Sequence, residues 1–529
     1  MAKRAPGMFA AIHVGSEQIS MQIVEYLGLD SIRTVERVSR DVLLGEETFK
    51  TGRISFETVG AVCELLKGYR RVLNEYGVRD CRLIATTALR EAKNQPYIID
   101  QIRVKTGFDV EVIDMPTEIF YKYAAMFRSC ERAGLLYGDA AVLFVDISSG
   151  GLGITLYEAG EIKYQQNIHI GVVRVKESFE KCQRETANFY QALVEYIYSS
   201  IEPVEQELRR RPVRYLVLSG LETRLLLGML GRDPAERISV ISPEEFNRLY
   251  AGIKDRTSAQ IMKLFNLSEQ KAEIVLPTLV LYQQILGLTT AERIAVPSDQ
   301  LNDGIIDLYV AEKTGDPWLE RLDEQIVSLA RALAAKYKAE PRHAANVEHN
   351  ALLPFDQLVR IHGLGQRERL LLKVAAILHD IGKFVSLRQH YFYSYRLIVS
   401  SDILGFSEEE KLVIANIAHY HSKGTPVDCD ANFAMLAPAH KVIVAKLAAI
   451  IRLADALDRS HRGKAMGLDV ALKGDEMVVG VTAKEDMSLE EWTFLDKAEF
   501  FKEVFGITPI LKVREGVLTV NGRLSNVGI

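Results

Sequence analysis

The sequence predicts an α/β fold over about its first 310 residues, then an all-α domain, then a small α+β module. A strand–turn–strand segment occurs twice: IHVGSEQISMQIVE from Ile12 aligns without a gap on VDISSGGLGITLYE from Val145. Short apolar strands alternate with helical periods around both copies, whereas residues 318–460 are rich in Ala, Leu, Ile, Lys and Arg at helical spacing. We therefore expect two related α/β halves, followed by a helical domain.

The individual elements follow from period and turn residues. The α/β region is predicted to contain a helix over Ser55–Tyr76 and strands over Cys81–Ala85, Glu111–Ile113 and Tyr215–Leu218. The C-terminal module is predicted to contain strands over Val470–Leu472, Met477–Thr482, Leu511–Val513 and Val517–Val520 around a helix near Leu489–Phe505. These changes in predicted secondary structure divide the chain into four domains, over residues 1–125, 126–310, 315–463 and 464–529.

Composition narrows the class of protein. The chain has 529 residues, 48% hydrophobic and 26% charged, which is typical of a globular enzyme and excludes fibrous and disordered classes. Its net charge of −5 provides no overall basic field, so we expect neither a nucleic-acid nor a membrane partner. Five scattered cysteines without a CxxC pair, and the lack of a long apolar run, predict a cytoplasmic protein with reduced thiols.

The small-residue turns are candidate phosphate-binding sites, because glycine and serine let backbone N–H groups approach an anionic oxygen. The turn positions are Gly15, Ser16, Ser148, Ser149, Gly150, Gly151 and Gly220. Thr87 and Arg90 lie where a strand enters a helix N-terminus, which suits the same role. Glu118, four residues after Asp114, is placed to orient or deprotonate a water molecule.

A series of motifs in the first 310 residues resembles the Ppx/GppA family of exopolyphosphatases and guanosine pentaphosphate phosphohydrolases. The motifs, in order, are AIHVGSEQISMQIVE, ATTALREAKN, EVIDMPTEIF, VDISSGG, IGVVR, LSG and LNDG. The resemblance implies duplicated ribonuclease-H-like domains of the actin/Hsp70/sugar kinase superfamily. It also implies release of terminal phosphate with Mg²⁺ or Mn²⁺ in the cleft between the two domains, and a homodimer.

The resemblance assigns roles to particular residues. Glu118 matches the catalytic base of the SGxEEA pattern, Asp146 matches the aspartate of DIGGGSTE that holds metal, and Arg90 matches a phosphate-binding arginine. Three departures weaken the expected metal site: His13 replaces an aspartate, Glu17-Gln18 replaces Asn-Ser, and Gly153 replaces the closing glutamate. Because Mg²⁺ prefers oxygen ligands, these losses predict a partly degenerate cleft.

The helical domain carries a second set of candidate metal ligands. His343, His379, Asp380 and Asp455 occur in the order H…HD…D, which resembles the HD superfamily of metal-dependent phosphohydrolases. His390 and His421 could ligate a second metal, and Lys383 could contact phosphate. In many exopolyphosphatases, however, an HD-like domain serves mainly to bind polyphosphate and to form the dimer.

The leading hypothesis is an exopolyphosphatase-type hydrolase that acts on inorganic polyphosphate or guanosine pentaphosphate, with water oriented by Glu118. Two alternatives stay open. The chain could be a regulator that binds polyphosphate or an alarmone nucleotide with little turnover, or the HD-like domain could be the enzyme, with a nucleotide phosphate as its substrate.

Overall fold

The computed structural model describes residues 6–148, 150–186, 188–208, 211–220, 222–515, 517–518 and 524–525. Two compact units make up the chain, one over residues 1–325 and one over 326–529. Helix α15, Trp318–Lys336, contains the boundary between them. No helix among the described residues is long and apolar enough to cross a membrane.

The first unit contains two sheets. Its strands are β1 (Gly7–Val14), β2 (Gln18–Gly28), β3 (Ser31–Asp41), β4 (Asp80–Ala85), β5 (Val110–Val112), β6 (Ala141–Ile147), β7 (Leu152–Glu158), β8 (Glu161–Ile168), β9 (Val213–Ser219), β10 (Ile238–Ile241) and β11 (Arg293–Pro297). Its complete helices are α1 (Leu44–Thr51), α2 (Phe56–Glu75), α3 (Thr87–Arg90), α4 (Gln95–Thr106), α5 (Met115–Arg132), α6 (Val172–Glu177), α7 (Lys181–Arg184), α8 (Phe189–Ile201), α9 (Glu205–Leu208), α10 (Glu222–Met229), α11 (Pro243–Ile253), α12 (Ser258–Phe265), α13 (Glu269–Gly287) and α14 (Leu301–Thr314), with a 3-10 turn at Glu202–Val204.

The two sheets share one topology. The first has the order β3-β2-β1-β4-β5, and the second contains β8-β7-β6-β9-β11 with β10 added at its edge. In both, three antiparallel strands are followed by two parallel ones. The repeated hairpin predicted from the sequence is therefore β1–β2 in one half and β6–β7 in the other. Parallel central strands end at one edge of each sheet, where their loops can line a binding site.

Each half has its own apolar core. The first packs the sheet residues Ile12, Val14 and Leu83 against Val62 and Leu66 of α2. The second packs the sheet formed by β6 to β11 against several helices, including the long helix α13. The ends of β1, β4 and β6 next to the turns are buried, so the turns that follow them rest on well-packed strands.

The second unit is mainly helical. After α15, its helices are α16 (Pro341–Gln357), α17 (Val359–His362), α18 (Gln366–Leu378), α19 (His390–Val399), α20 (Glu408–Tyr420), α21 (Ala431–Ala434), α22 (Pro438–Ala456) and α23 (Ser488–Phe505), with a 3-10 turn at Ile381–Phe384. Its strands are β12 (Ala465–Lys473), β13 (Glu476–Ala483), β14 (Thr508–Glu515), β15 (Val517–Leu518) and β16 (Leu524–Ser525). The predicted strand over 517–520 is present at 517–518, and residues 519 and 520 lie outside the described residues.

Candidate functional site

The two hairpin turns of the first unit face one cavity of about 70 Å³, here called the cleft. Six of the predicted residues line it: Gly15, Ser16, Thr87, Glu118, Ser148 and Gly220. The first turn is closed by a hydrogen bond from Gly15 N–H to the Gln18 carbonyl, at 3.0 Å. The turns of the two halves therefore line one cavity.

The second turn runs from Ser148 to Gly151. Ser148 N–H donates to the Gly151 carbonyl at 2.9 Å, and Gly151 N–H donates to Ser148 Oγ at 3.1 Å. A Cβ atom on Gly150 would lie 2.5 Å from Thr87 Cγ2, so the close approach of the two halves requires glycine at this position. Ser149, predicted to bind phosphate, lies outside the described residues.

Glu118 is positioned by the start of α5. The Asp114 side chain caps this helix by accepting a hydrogen bond from Thr117 N–H at 3.0 Å, which places Glu118 in the first turn. Arg90 Nη1 lies 3.5 Å from Glu118 Oε2 and donates to the Ile113 carbonyl at 2.7 Å. Burial alone would raise the pKa of Glu118, but the positive charges of Lys122 and Arg90 hold the pKa below its ordinary value. Glu118 is therefore an ionised carboxylate at neutral pH.

Lys122 was missed by the sequence analysis. One turn of α5 beyond Glu118, its Nζ lies 3.3 Å from Glu118 Oε1 and 3.1 Å from Asp146 Oδ2. Burial by itself would lower the pKa of Lys122, but Asp146 and Glu118 raise it well above its ordinary value. The other Asp146 oxygen accepts a hydrogen bond from Ser219 Oγ. An ammonium thus bridges the predicted base and the predicted metal ligand.

His13, at a position where the resemblance leads one to expect a carboxylate, is uncharged. Its Nε2 lies 3.0 Å from Thr86 Oγ1. Burial lowers the pKa of His13 to about 4, with Glu118 opposing the shift and Lys122 adding to it. Among the groups of three or more His, Cys, Asp or Glu side chains close enough to share an ion, those found within the described residues all belong to the helical unit.

Glu222, which is buried, and Glu17, which is partly buried, add two acidic groups to the lining of the cleft. Glu222 is 4% exposed, and its Oε2 has no hydrogen-bond partner within the part of the chain that the structure describes. Burial, reinforced by Glu17, raises the pKa of Glu222 to about 8, and burial also raises the pKa of Glu17. Near neutral pH, Glu222 is thus largely a neutral carboxylic acid.

Glu222→Gln is expected to change how stability depends on pH. Because the folded pKa lies near 8 and the ordinary value is 4.5, folded wild type binds more protons than the unfolded chain between these values. The stabilising contribution of Glu222 to the free energy of unfolding is therefore present at pH 4.5 and is lost as the pH rises towards 8. In urea unfolding between pH 5 and 8, the free energy of unfolding should fall less steeply with rising pH for the variant than for wild type. A free-energy difference between the two proteins that is the same at every pH would contradict this assignment.

The helical unit brings six side chains to one centre, here called the six-ligand set. Its members are His343, His379, Asp380, His390, His421 and Asp455. They come from α16, the end of α18, the start of α19, the end of α20, and α22. Within it, three overlapping trios each have ligand atoms that lie within 4.8 Å of one another. All four residues predicted as metal ligands here are present, together with the two histidines suggested for a second metal.

Hydrogen bonds fix how the imidazoles present their nitrogens. His379 Nδ1 lies 2.7 Å from the Ala376 carbonyl, and His421 Nδ1 lies 2.6 Å from the Ala418 carbonyl. Because a carbonyl oxygen only accepts, each Nδ1 carries the hydrogen and each Nε2 presents a lone pair. His379 Nε2 lies 3.2 Å from His343 Nε2, and His421 Nε2 lies 3.2 Å from His390 Nε2. Such pairs are arranged for a cation, so the side chains fit a divalent metal.

The carboxylates complete the set. Asp380 Oδ2 lies 3.6 Å from Nε2 of His343, and Asp380 Oδ1 lies 3.4 Å from Nε2 of His390. Asp455 Oδ1 lies 3.5 Å from His343 Nε2. The pKa of Asp380 is held far below its ordinary value because nearby imidazoles and Lys383 outweigh the effect of burial. The pKa of Asp455 is lowered as well, chiefly by Lys497 and a hydrogen bond to His343, so both carboxylates carry negative charge.

Three supporting residues were missed by the sequence analysis. Asp458 Oδ2 lies 2.9 Å from His343 Nδ1 and also accepts from Asn346 Nδ2 at 3.0 Å. Lys497 Nζ lies 3.1 Å from Asp455 Oδ2. Although burial alone would lower the pKa of His343, hydrogen bonds to Asp455 and Asp458 raise it to about 9, so this position favours positive charge. Such outer contacts orient ligands and tune their basicity.

Comparison with known proteins decides the family. The model of the Ppx/GppA phosphatase family matches residues 22–310, and the model of its domain III matches residues 328–497. The chain belongs to the Ppx/GppA phosphatase family. This match confirms the resemblance to the Ppx/GppA family that the sequence motifs predicted. It also confirms the prediction of a hydrolase of this family.

Several relatives of this Ppx/GppA member carry curated names. A protein of Vibrio vulnificus named guanosine-5'-triphosphate,3'-diphosphate pyrophosphatase is 21% identical over 79% of this chain and 81% of its own length. A protein of the same name from Aeromonas hydrophila is 22% identical over 77% of this chain and 79% of its own. At this identity, the relatives establish similarity and not a substrate for this chain.

Solved structures show the same fold. An exopolyphosphatase from Cytophaga hutchinsonii matches with a TM-score of 0.51 and 22% identity, over 58% of this chain and 98% of its own. The Aquifex aeolicus member of the Ppx/GppA family matches with a TM-score of 0.50 and 21% identity, over 58% of this chain and 99% of its own. These likenesses confirm the mixed α/β fold.

Proposed function

We propose that this chain is a divalent-metal-dependent phosphohydrolase whose hydrolytic centre is the six-ligand set of an HD-like helical domain, with a nucleotide phosphate as its substrate class. The observation that carries the proposal is the convergence of four imidazoles and two carboxylates, with the Nε2 atoms of two histidine pairs 3.2 Å apart. Imidazole nitrogens suit a divalent transition metal better than Mg²⁺, which prefers oxygen ligands. A divalent ion held there supplies Lewis acidity and an activated water.

The protein side chains divide the remaining work. Asp380 and Asp455 balance metal charge, and Asp458 and the Ala376 and Ala418 carbonyls hold the imidazole rings in orientation. Lys383 contacts Asp380, with its side chain 34% exposed. An ammonium at the edge of an anionic ligand set can pair with the phosphate of an incoming nucleotide. Lys383 is therefore proposed to bind substrate phosphate.

The cleft supports a second candidate function, namely release of terminal phosphate from guanosine pentaphosphate or inorganic polyphosphate with Glu118 as the base. Glu118 is buried, ionised and part of the cavity wall, and its Oε2 lies 3.5 Å from Arg90 Nη1. A pocket of about 650 Å³ shares Ser16, Glu17 and Glu222 with the cleft and is large enough for a nucleoside. If turnover there is slow, the same contacts make the cleft a phosphate-binding regulatory site.

Phosphate release from guanosine pentaphosphate and from long-chain polyphosphate, measured with EDTA or Mn²⁺, distinguishes the two candidates. For wild type we expect release that needs metal, and for Glu118→Gln we expect the same rate within about threefold, since Glu118 belongs to the other unit's cleft. Loss of release in Glu118→Gln, at unchanged thermal stability, would place the chemistry in the cleft. The homodimer and the cytoplasmic location stay predictions from the sequence.

A further inference from the structure

Lys122 occupies the position in the cleft where a cation shared by the predicted base Glu118 and the predicted metal ligand Asp146 would lie. Its Nζ is 3.3 Å from Glu118 Oε1 and 3.1 Å from Asp146 Oδ2, and its side chain is 13% exposed. Both carboxylates are themselves buried. A buried ammonium between two carboxylates is a compact ion cluster held in place by its own charges.

The remaining oxygens of these carboxylates also have partners. Asp146 Oδ1 accepts a hydrogen bond from Ser219 Oγ, and Glu118 Oε2 faces Arg90 Nη1 at 3.5 Å. Two cationic side chains therefore already balance two carboxylates. Mg²⁺ needs several oxygen ligands at about 2.0–2.1 Å, and an ion bound to Asp146 Oδ2 would lie next to the ammonium. The residues of the cleft thus do not fit the divalent metal that the family resemblance implies.

The same ammonium is placed to contact a ligand. Lys122 lines the cavity together with both hairpin turns and Thr87, whose Oγ1 accepts a hydrogen bond from Arg90 Nη2 at 3.0 Å. An ammonium has three donor hydrogens, and the contacts to Glu118 and Asp146 use two of them. The third can be given to an anionic oxygen in the cavity.

We propose that Lys122 is the resident cation of the cleft, which takes the place of a divalent metal between Glu118 and Asp146 and pairs with a phosphate group bound by the turns. The phosphate-binding part rests on the proposed role of the cleft, whereas the exclusion of metal rests on geometry alone. The proposal assigns the metal requirement of the whole chain to the six-ligand set.

Counting bound Mn²⁺ in the full-length protein tests the exclusion of metal. Wild type and Asp146→Asn are expected to bind the same number of ions, because Asp146 ligates none. Lys122→Met frees both carboxylates and is expected to gain one ion per chain, which the double variant with Asp146→Asn loses again. Lys176→Met is the matched control, since Lys176 is also buried among carboxylates, 3.1 Å from Glu273, but does not contact Asp146. Any ion that Lys176→Met gains should still be bound when Asp146→Asn is added to it.

Two results would overturn the inference. One is an ion in wild type that Asp146→Asn removes, a comparison that needs no Lys122 variant to fold. The other is a folded Lys122→Met protein that gains no ion. Binding of inorganic tripolyphosphate in EDTA separates this inference from the proposed function: wild type should bind, and Lys122→Met should bind at least tenfold more weakly. Absence of binding in wild type would refute phosphate recognition by Lys122 and the cleft, while the ion count would still decide the exclusion of metal.

Discussion

Replacing Asp380 with alanine should reduce metal-dependent phosphate release by about 10³-fold or more. Asp380 contributes to two of the three overlapping trios, with Oδ2 facing His343 and Oδ1 facing His390. The substitution removes a carboxylate oxygen from each of these two trios and should weaken metal binding in both. Because a bound metal provides several kcal/mol of transition-state stabilisation, the rate should fall with it. Rate measurements at saturating Mn²⁺, together with metal analysis, should show activity and bound ions falling together.

Asp428→Ala is the matched control for this change. Asp428 lies in the same unit, is exposed, and pairs with Lys441 at 2.8 Å. Exposed ion pairs of this kind contribute about 0–1 kcal/mol, so the control should retain wild-type rate and metal content. If Asp380→Ala kept its activity while losing its metal, hydrolysis would not occur at the six-ligand set.

Gly382→Ala should destabilise the helical unit and disturb its metal centre. A Cβ atom at this position would lie 2.0 Å from the His390 carbonyl and 2.3 Å from Ser394 N. Gly382 N–H also donates to Ser394 Oγ at 2.9 Å, which in turn donates to the His379 carbonyl at 2.6 Å. Because backbone must move to relieve the contact, we expect a loss of at least about 1–3 kcal/mol and weaker binding of the ion near His390.

Urea unfolding and Mn²⁺ titration measure the two effects of Gly382→Ala. Gly424→Ala serves as the control, since a Cβ atom there would meet no atom within 4 Å. We expect the control to match wild type in stability to within about 0.5 kcal/mol. Equal stability and equal metal affinity in Gly382→Ala would mean that the turn after Asp380 does not support α19 as described.

Local patterns in the sequence identify much of this architecture. The repeated Gly/Ser turns predict the β1–β2 and β6–β7 hairpins, because a short turn of small residues between two segments of alternating apolar residues is typical of a β-hairpin. Strand β3, Ser31–Asp41, was not predicted because most of its side chains are at least partly exposed and alternate weakly. Strand β10 was missed because a four-residue strand at a sheet edge has almost no period to detect.

The candidate sites show a similar division. The order H…HD…D identifies the candidate metal ligands of the helical unit because their residue types are informative by themselves. Lys122 gave no such signal, since a lysine four residues after a glutamate is ordinary on an exposed helix face. Only packing against β6 and β9 shows that the side chain is buried beside Asp146 and Ser219. The elevated pKa of Glu222 likewise depends on burial that sequence cannot show.

Anomalous X-ray scattering from crystals of the full chain grown with Mn²⁺ tests the central claim most directly. We predict manganese peaks among His343, His379, Asp380, His390, His421 and Asp455, and no peak within 3 Å of Asp146, consistent with the short ligand distances of such ions. A manganese peak at Asp146 and Glu118 with the six-ligand set empty would contradict the account, because it would return the metal chemistry to the cleft.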